Sequence, residues 1–288
     1  MMTDSLTIYH SPDADDAFMF YGLTCGAVTV PGFEIRHELS DIETLNQRAL
    51  RGELDVTAIS VHAYADLADQ YEILDCGASM GEKDYGPKLI CRSSQSLKEV
   101  RRIAIPGQYT SACLVLKLFL RHQALEKELV IIPFDEIQQA VERGQVDAGV
   151  IIHEGQLTFE ERGFQLLADL GQWWWRENSL PLPLGINVIK RSLSEKAKQA
   201  AATALFESIQ YSLAHREKAL DYALTYGRGI SREVADTFVG MYVNDRTLSL
   251  GTDGRKAIES FLRQGAESDM IKAVERFDFV IPQPLHPS

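Results

Sequence analysis

Along the first 190 residues, apolar positions fall into two alternating rhythms: short, nearly continuous runs, and longer stretches with an apolar residue every third or fourth place. Short runs predict strands, and the longer period predicts helices with one buried face. Residues 6–9 predict a strand and 14–25 a helix. The pair recurs as strand 33–36 with helix 42–50, and as strand 55–60 with helix 62–69. A loop over 81–87 leads to a further strand at Leu89 and Ile90. A second cycle then runs through strand 102–106, helix 111–122, strand 129–132, helix 135–143 and strand 146–152. Such alternation predicts βαβ units on a largely parallel sheet, and thus an α/β fold.

The two cycles contain a repeat. Asp41-Ile-Glu-Thr-Leu-Asn-Gln-Arg-Ala-Leu-Arg-Gly-Glu-Leu-Asp-Val resembles Asp135-Glu-Ile-Gln-Gln-Ala-Val-Glu-Arg-Gly-Gln-Val-Asp-Ala. Each copy has an acidic helix start, an Arg-Gly helix stop and an apolar strand that opens with Asp. Two copies of one unit predict two lobes. Beyond Lys190 the pattern turns helical, over 194–215, 217–226, 231–242 and 253–264, a tail expected to pack back on the first lobe. Residues 89–92 and 184–190 read as the outward and return crossings of a two-strand hinge. Lobe 1 is then expected to hold residues 1–92 plus 186–288, and lobe 2 residues 93–185. Ligands belong in the crevice at the carboxyl ends of the strands.

Composition narrows the class. Of the 288 residues, 45% are hydrophobic and 24% charged, as in a folded soluble protein. The net charge of −12 argues against a nucleic-acid partner, since phosphate backbones favour surplus Lys and Arg. No basic amphipathic stretch suggests a membrane surface. The first ten residues lack the basic and apolar regions of a secretory signal, and no apolar run approaches the length of a membrane span, so a cytoplasmic protein is expected. Cys25, Cys76, Cys91 and Cys113 form no CxxC, which leaves reduced, mostly buried thiols as the expectation. Phosphate-loop, dinucleotide and GxSxG signatures are absent.

Four loops at predicted strand ends carry candidate chemistry. In Ser11-Pro-Asp-Ala-Asp-Asp16, the carboxylates serve either the helix start or a ligand, with Asp16 placed to do both. Ser60, in Ser60-Val-His-Ala-Tyr64, can donate to a ligand, whereas His62 reads as structural. In Pro106-Gly-Gln-Tyr-Thr-Ser-Ala112, Thr110 and Ser111 join free N–H groups at a helix start and suit a carboxylate. In Ile151-Ile-His153-Glu154, an apolar strand delivers a histidine, the side chain best suited to proton transfer near neutral pH. His153 occupies the strand end equivalent to Ser60 in the repeat. His10, His37, His122, His215 and His286 have no such placement. Trp173-Trp-Trp175 reads as core or lobe packing, with stacking on an aromatic ligand as the alternative.

At these loops the sequence resembles the 1,4-dihydroxy-6-naphthoate synthase family of the futalosine route to menaquinone. The resemblance lies in Ser11-Pro12 with Asp16 and Phe18, Asp41-Ile-Glu-Thr-Leu-Asn46, Pro106-Gly107 with Thr110-Ser111-Ala112, Ile151-Ile-His-Glu154, and Leu180-Pro-Leu-Pro-Leu-Gly185. It covers most of the chain in order and is weakest in the helical tail. The resemblance implies a type II periplasmic-binding-protein-like fold used by a cytoplasmic enzyme without metal or organic cofactor. It implies a carboxylated substrate, cyclic dehypoxanthinyl futalosine, fragmented to the dihydroxynaphthoate with loss of the sugar portion. His153 would be the general base; Thr110 and Ser111 would hold an anionic or hydroxylated group, and Ser11, Asp16 and Ser60 polar groups from the other lobe. The family loop reads Ser-Pro-Cys-Pro-Asn-Asp, so Asp13, Ala14 and Asp15 depart from it. Two extra carboxylates there are expected to disfavour a second anion. A solute-binding protein and the related chorismate dehydratase are the alternatives.

Overall fold

Two mixed sheets, each flanked by helices, make the two lobes of the computed structural model, which describes residues 4–226 and 229–283. His286 lies outside the described residues. From one edge, the first sheet runs Phe33–Leu39, Asp4–His10, Val56–Ser60, Leu182–Lys190, Tyr71–Leu74 and Phe279–Val280, with Ser79–Gly81 also paired to Leu182–Lys190. The second runs Glu128–Ile131, Arg102–Ile105, Ala148–Ile151, Lys88–Cys91 and Gln165–Asp169. In both, the second strand of a cycle lies outermost, then the first, the third and a crossing strand from the other lobe. The internal repeat is thus a repeat of topology.

Neither sheet is largely parallel. Leu182–Lys190 runs antiparallel to Val56–Ser60 and Tyr71–Leu74, and Lys88–Cys91 antiparallel to Ala148–Ile151 and Gln165–Asp169. A strand arriving from the other lobe enters from the cleft end and so opposes the βαβ strands beside it. By sheet membership the chain changes lobes within 82–87 and again within 170–181. Residues 88–91 therefore belong with the second sheet and 182–185 with the first. Tyr71–Leu74, Gln165–Asp169 and the helix Leu170–Asn178 had no clear periodic signal in the sequence.

The helix Ala14–Thr24 is buried at Ala14, Asp15, Ala17, Phe18, Met19, Phe20 and Gly22, with no broad polar face. A helix apolar all round needs cover all round. The tail supplies it, because Glu195–Ala214 and Arg216–Leu224 pack against this helix. Gly22 lets Ser208 approach: a Cβ there would lie 2.8 Å from the Ser208 Cα. The Ser208 hydroxyl donates to the Met19 carbonyl at 2.7 Å and accepts from Leu23 N–H at 3.1 Å. Burying Phe18, Met19 and Phe20 contributes about 1.5–3 kcal/mol each.

A second core joins the lobes. It runs from Ile59 and Tyr64 of the first, through Cys113 and Leu116 of the second, to Trp174 and Phe261. The Trp174 indole donates to the Pro181 carbonyl at 3.1 Å and meets Phe261 edge-on, while Trp173 packs on Phe119. Cys76, Cys91 and Cys113 are buried unpaired thiols, and Cys25 is exposed. Among the described residues, no helix is long and apolar enough to cross a membrane.

Candidate active site

The carboxyl ends of both sets of strands open onto one cleft of about 770 Å³, its mouth included. All six residues singled out from the sequence line it. Ser11, Asp16 and Ser60 stand on the first lobe; Thr110, Ser111 and His153 stand on the second. None of Trp173, Trp174 and Trp175 lines the cleft, and Trp173 and Trp174 pack in the core.

In the Ser11–Asp16 loop, side chains brace one another rather than the helix. Ser11 N–H donates to Asp16 Oδ2 at 2.9 Å, and the Ser11 hydroxyl donates to Asp13 Oδ2 at 2.9 Å. Asp13 holds the N-cap position without a side-chain capping bond. Ser79, from the first sheet, donates to Asp15 Oδ2 at 3.2 Å. Burial, then the charges of Asp16, Asp13 and Glu154, push the Asp15 carboxyl well above the usual range. Burial and Asp13 push Asp16 up to about 7.

Ser60 ends its strand against a residue not foreseen as part of the site. Asn46, fully buried on the helix Ile42–Leu50, accepts from Ser60 N–H at 2.8 Å and donates to Ser60 Oγ at 3.1 Å. The signal was present in the sequence, as an amide between Leu45 and Ala49 on the helix's buried face. Aligning Arg51-Gly52 with Arg143-Gly144 sets Asn46 opposite Gln138. Gln138 is likewise buried, with its Nε2 3.0 Å from where a Cβ on Gly155 would sit. Both lobes thus direct a helix amide at the loop after their third strand.

The two second-lobe hydroxyls are less open than the sequence led us to expect. Thr110 caps the helix Ser111–His122, accepting from Cys113 N–H at 3.2 Å and donating to the Gly107 carbonyl at 2.9 Å. Ser111 reaches across the lobes, donating to the Leu184 carbonyl at 2.6 Å and accepting from His62 N–H at 3.3 Å. Each hydroxyl has spent its proton on protein and retains acceptor capacity only, so an anion here must be met by backbone N–H groups. His62 is the strut foreseen, with Nδ1 3.1 Å from the Thr110 carbonyl and burial lowering its pKa to about 4.

His153 follows the strand Ala148–Ile151 into the cleft. Its ring meets Phe134 edge-on at 4.7 Å between centroids, and its Nδ1 lies 4.0 Å from Glu154 Oε2. The tail contributes Phe238 and Tyr242 to the lining, a role its weak resemblance did not suggest. Tyr242 donates to Gln156 Oε1 of the second lobe at 3.1 Å.

Among the described residues, no Lys or Arg lines the cleft, and no three His, Cys, Asp or Glu side chains converge as metal ligands would. An anionic group would be bound by neutral donors, which cost little desolvation when preorganised. With a histidine on one wall and donors on the other, the cleft can take a proton from a substrate while fixing its oxygens.

Residues 6–267 match the family model for menaquinone biosynthesis. A 1,4-dihydroxy-6-naphthoate synthase from Thermus thermophilus is 37% identical over 255 residues, 88% of this chain and 92% of its own. One from Streptomyces coelicolor is 33% identical over 277 residues, 95% of this chain and 97% of its own. Among solved structures, protein AF1704 from Archaeoglobus fulgidus has a TM-score of 0.87 at 45% identity, covering 93% of this chain and 98% of its own. The periplasmic aliphatic sulphonate binding protein of Escherichia coli has a TM-score of 0.68 at 14% identity, covering 99% and 94%, a likeness of fold alone. With the two-lobed periplasmic-binding-protein fold and these relatives along nearly its whole length, the chain belongs to the 1,4-dihydroxy-6-naphthoate synthase family of menaquinone-biosynthesis enzymes.

Proposed function

We propose that this chain fragments cyclic dehypoxanthinyl futalosine to 1,4-dihydroxy-6-naphthoate, with His153 as the general base. The observation that carries the reading is the placement of His153. It enters from the second lobe the same cleft that Ser11, Asp16 and Ser60 line from the first. Proton removal by the imidazole supplies the electron pair that breaks the bond to the sugar portion. Ser60 and backbone N–H groups at the start of the helix Ser111–His122 would meet the carboxylate, while Asp15, Asp16 and Ser11 would meet hydroxyl groups of the sugar. Walls from both lobes would keep water from the intermediate.

Purified protein incubated with cyclic dehypoxanthinyl futalosine and assayed by mass tests this. Wild type should release dihydroxynaphthoate, and His153→Ala should slow release by about a hundredfold or more. Full turnover by His153→Ala or His153→Gln would move the base elsewhere. No product from folded wild type would mean a different substrate, with the departure at Asp13, Ala14 and Asp15 as its first suspect.

A further inference from the structure

We propose that Asn46 is a positioning residue that makes the Ser60 hydroxyl an obligate donor into the cleft, so that the substrate presents a hydrogen-bond acceptor, a carboxylate or carbonyl oxygen, at that wall. The proposal rests on the function proposed above and extends it to the direction of one proton.

The direction follows from what each group can do. A backbone N–H only donates, so the Asn46 atom 2.8 Å from Ser60 N must be the amide oxygen. That settles the amide orientation, which puts Nδ2 3.1 Å from Ser60 Oγ and 3.3 Å from Glu43 Oε2. An amide nitrogen also only donates. Both its hydrogens are taken, and Ser60 Oγ must accept one of them. The serine's own proton is therefore turned away from Asn46. Among the described residues, no protein acceptor takes it, and Ser60 forms part of the cleft wall.

The support behind Asn46 is rigid. Its helix Ile42–Leu50 is capped by Asp41, which accepts from Thr44 N–H at 3.0 Å. Gln47 donates to Glu43 Oε1 at 3.2 Å, and a Cβ on Gly107 would lie 2.4 Å from Glu43 Oε2. Glu43 therefore lies against the loop that leads to Thr110, and one helix borders both cleft loops. The serine meets substrate, and Asn46 acts through it. A donor held in this way meets a charged oxygen with little reorganisation.

The test compares kcat/KM on cyclic dehypoxanthinyl futalosine for Ser60→Ala, Asn46→Asp and the double variant across pH, beside a neutron diffraction map of deuterium-exchanged wild type. Ser60→Ala should lose about tenfold or more. Protonated, aspartic acid at position 46 has one O–H where the amide has two N–H, and that one can still donate to Ser60 Oγ. Ionised, it only accepts, and it would draw the serine proton onto itself. Asn46→Asp should therefore match wild type at low pH and lose a similar factor as pH rises, with Glu43 the ionisable side chain in contact. In the Ser60→Ala background the same change should cost less than about twofold. An equal cost in both backgrounds would overturn the proposal, because a merely structural asparagine acts independently of the hydroxyl. A deuteron on Ser60 Oγ pointing at Asn46 would overturn it too, and one pointing into the cleft supports it. The map decides this even if Asn46→Asp does not fold. Wild type that makes no product would sink the function proposed above, whereas the proton's direction would still be read from the map.

Discussion

The formal charge of the loop from Ser11 to Asp16 overstates the negative charge its cleft presents, because burial opposes ionisation of two of its three carboxyl groups. The extra carboxylates therefore repel a second anion less than their number suggests, and a protonated Asp15 can donate as well as accept. A consequence for stability has a definite sign. Asp16 titrates near 3.8 when unfolded and at about 7 when folded, so the native state binds the proton more tightly. Its contribution is fully present below about pH 4 and is lost as pH rises towards 7. Asp16→Asn should flatten the fall in melting temperature over that window and gain on the order of 1 kcal/mol above it, measured by thermal melts at several pH values. An unchanged slope would show that Asp16 ionises normally. Ser111 poses the opposite case. Ser111→Ala leaves the Leu184 carbonyl without its donor and His62 N–H without its acceptor. It should cost about 1–3 kcal/mol in chemical denaturation.

Between elements, close approach rather than charge sets the tolerances. The helix Leu170–Asn178 begins at Asp169, which accepts from Gln172 N–H at 2.9 Å and pairs with Lys88 of the crossing strand. That helix start lies on the segment linking the lobes. A Cβ on Gly171 would stand 2.6 Å from the Tyr85 carbonyl oxygen and 2.9 Å from the Gly86 Cα, both backbone atoms. Backbone cannot swing aside as a flexible side chain can. Gly171→Ala should therefore destabilise by about 1–3 kcal/mol or more, read from the denaturation midpoint. By contrast, Gly144→Ala meets nothing within 4 Å but sits at a φ of +68°. Its cost, about 1 kcal/mol, would be backbone strain alone.

Over the whole molecule, each lobe keeps a core of its own and the two share a third. Ile59 and Tyr64 share one apolar cluster with Cys113, Leu116, Trp174 and Phe261, and the Ser111–Leu184 and Tyr242–Gln156 bonds also span the lobes. Units that share buried surface lose it together. Calorimetry should accordingly show one main unfolding transition; two well-separated ones would mean that the shared core contributes little. The tail matters at this scale, since it covers the helix Ala14–Thr24 and brings Phe238 and Tyr242 to the cleft.

Much of this was legible in the chain, for physical reasons. Strand and helix periods depend on neighbours a few places apart, so the βαβ cycles, the repeat and the four strand-end loops could be read before any coordinates. The residues predicted for the site fell on one cleft because strand ends of such units face one way. What depends on distant partners was not legible. The crossing strands turned each sheet mixed, because their direction is set by the lobe they come from. The Ser111 hydroxyl turned inward, because a strand residue 73 places further on offers it a carbonyl. Asn46 could be noticed as a polar residue on an apolar face, but its partner Ser60 belongs to another element. Local sequence determined which groups stand at the cleft. Tertiary structure alone decided which of their protons remain for a ligand, because a hydrogen bond is fixed by whichever partner the fold brings within about 3 Å.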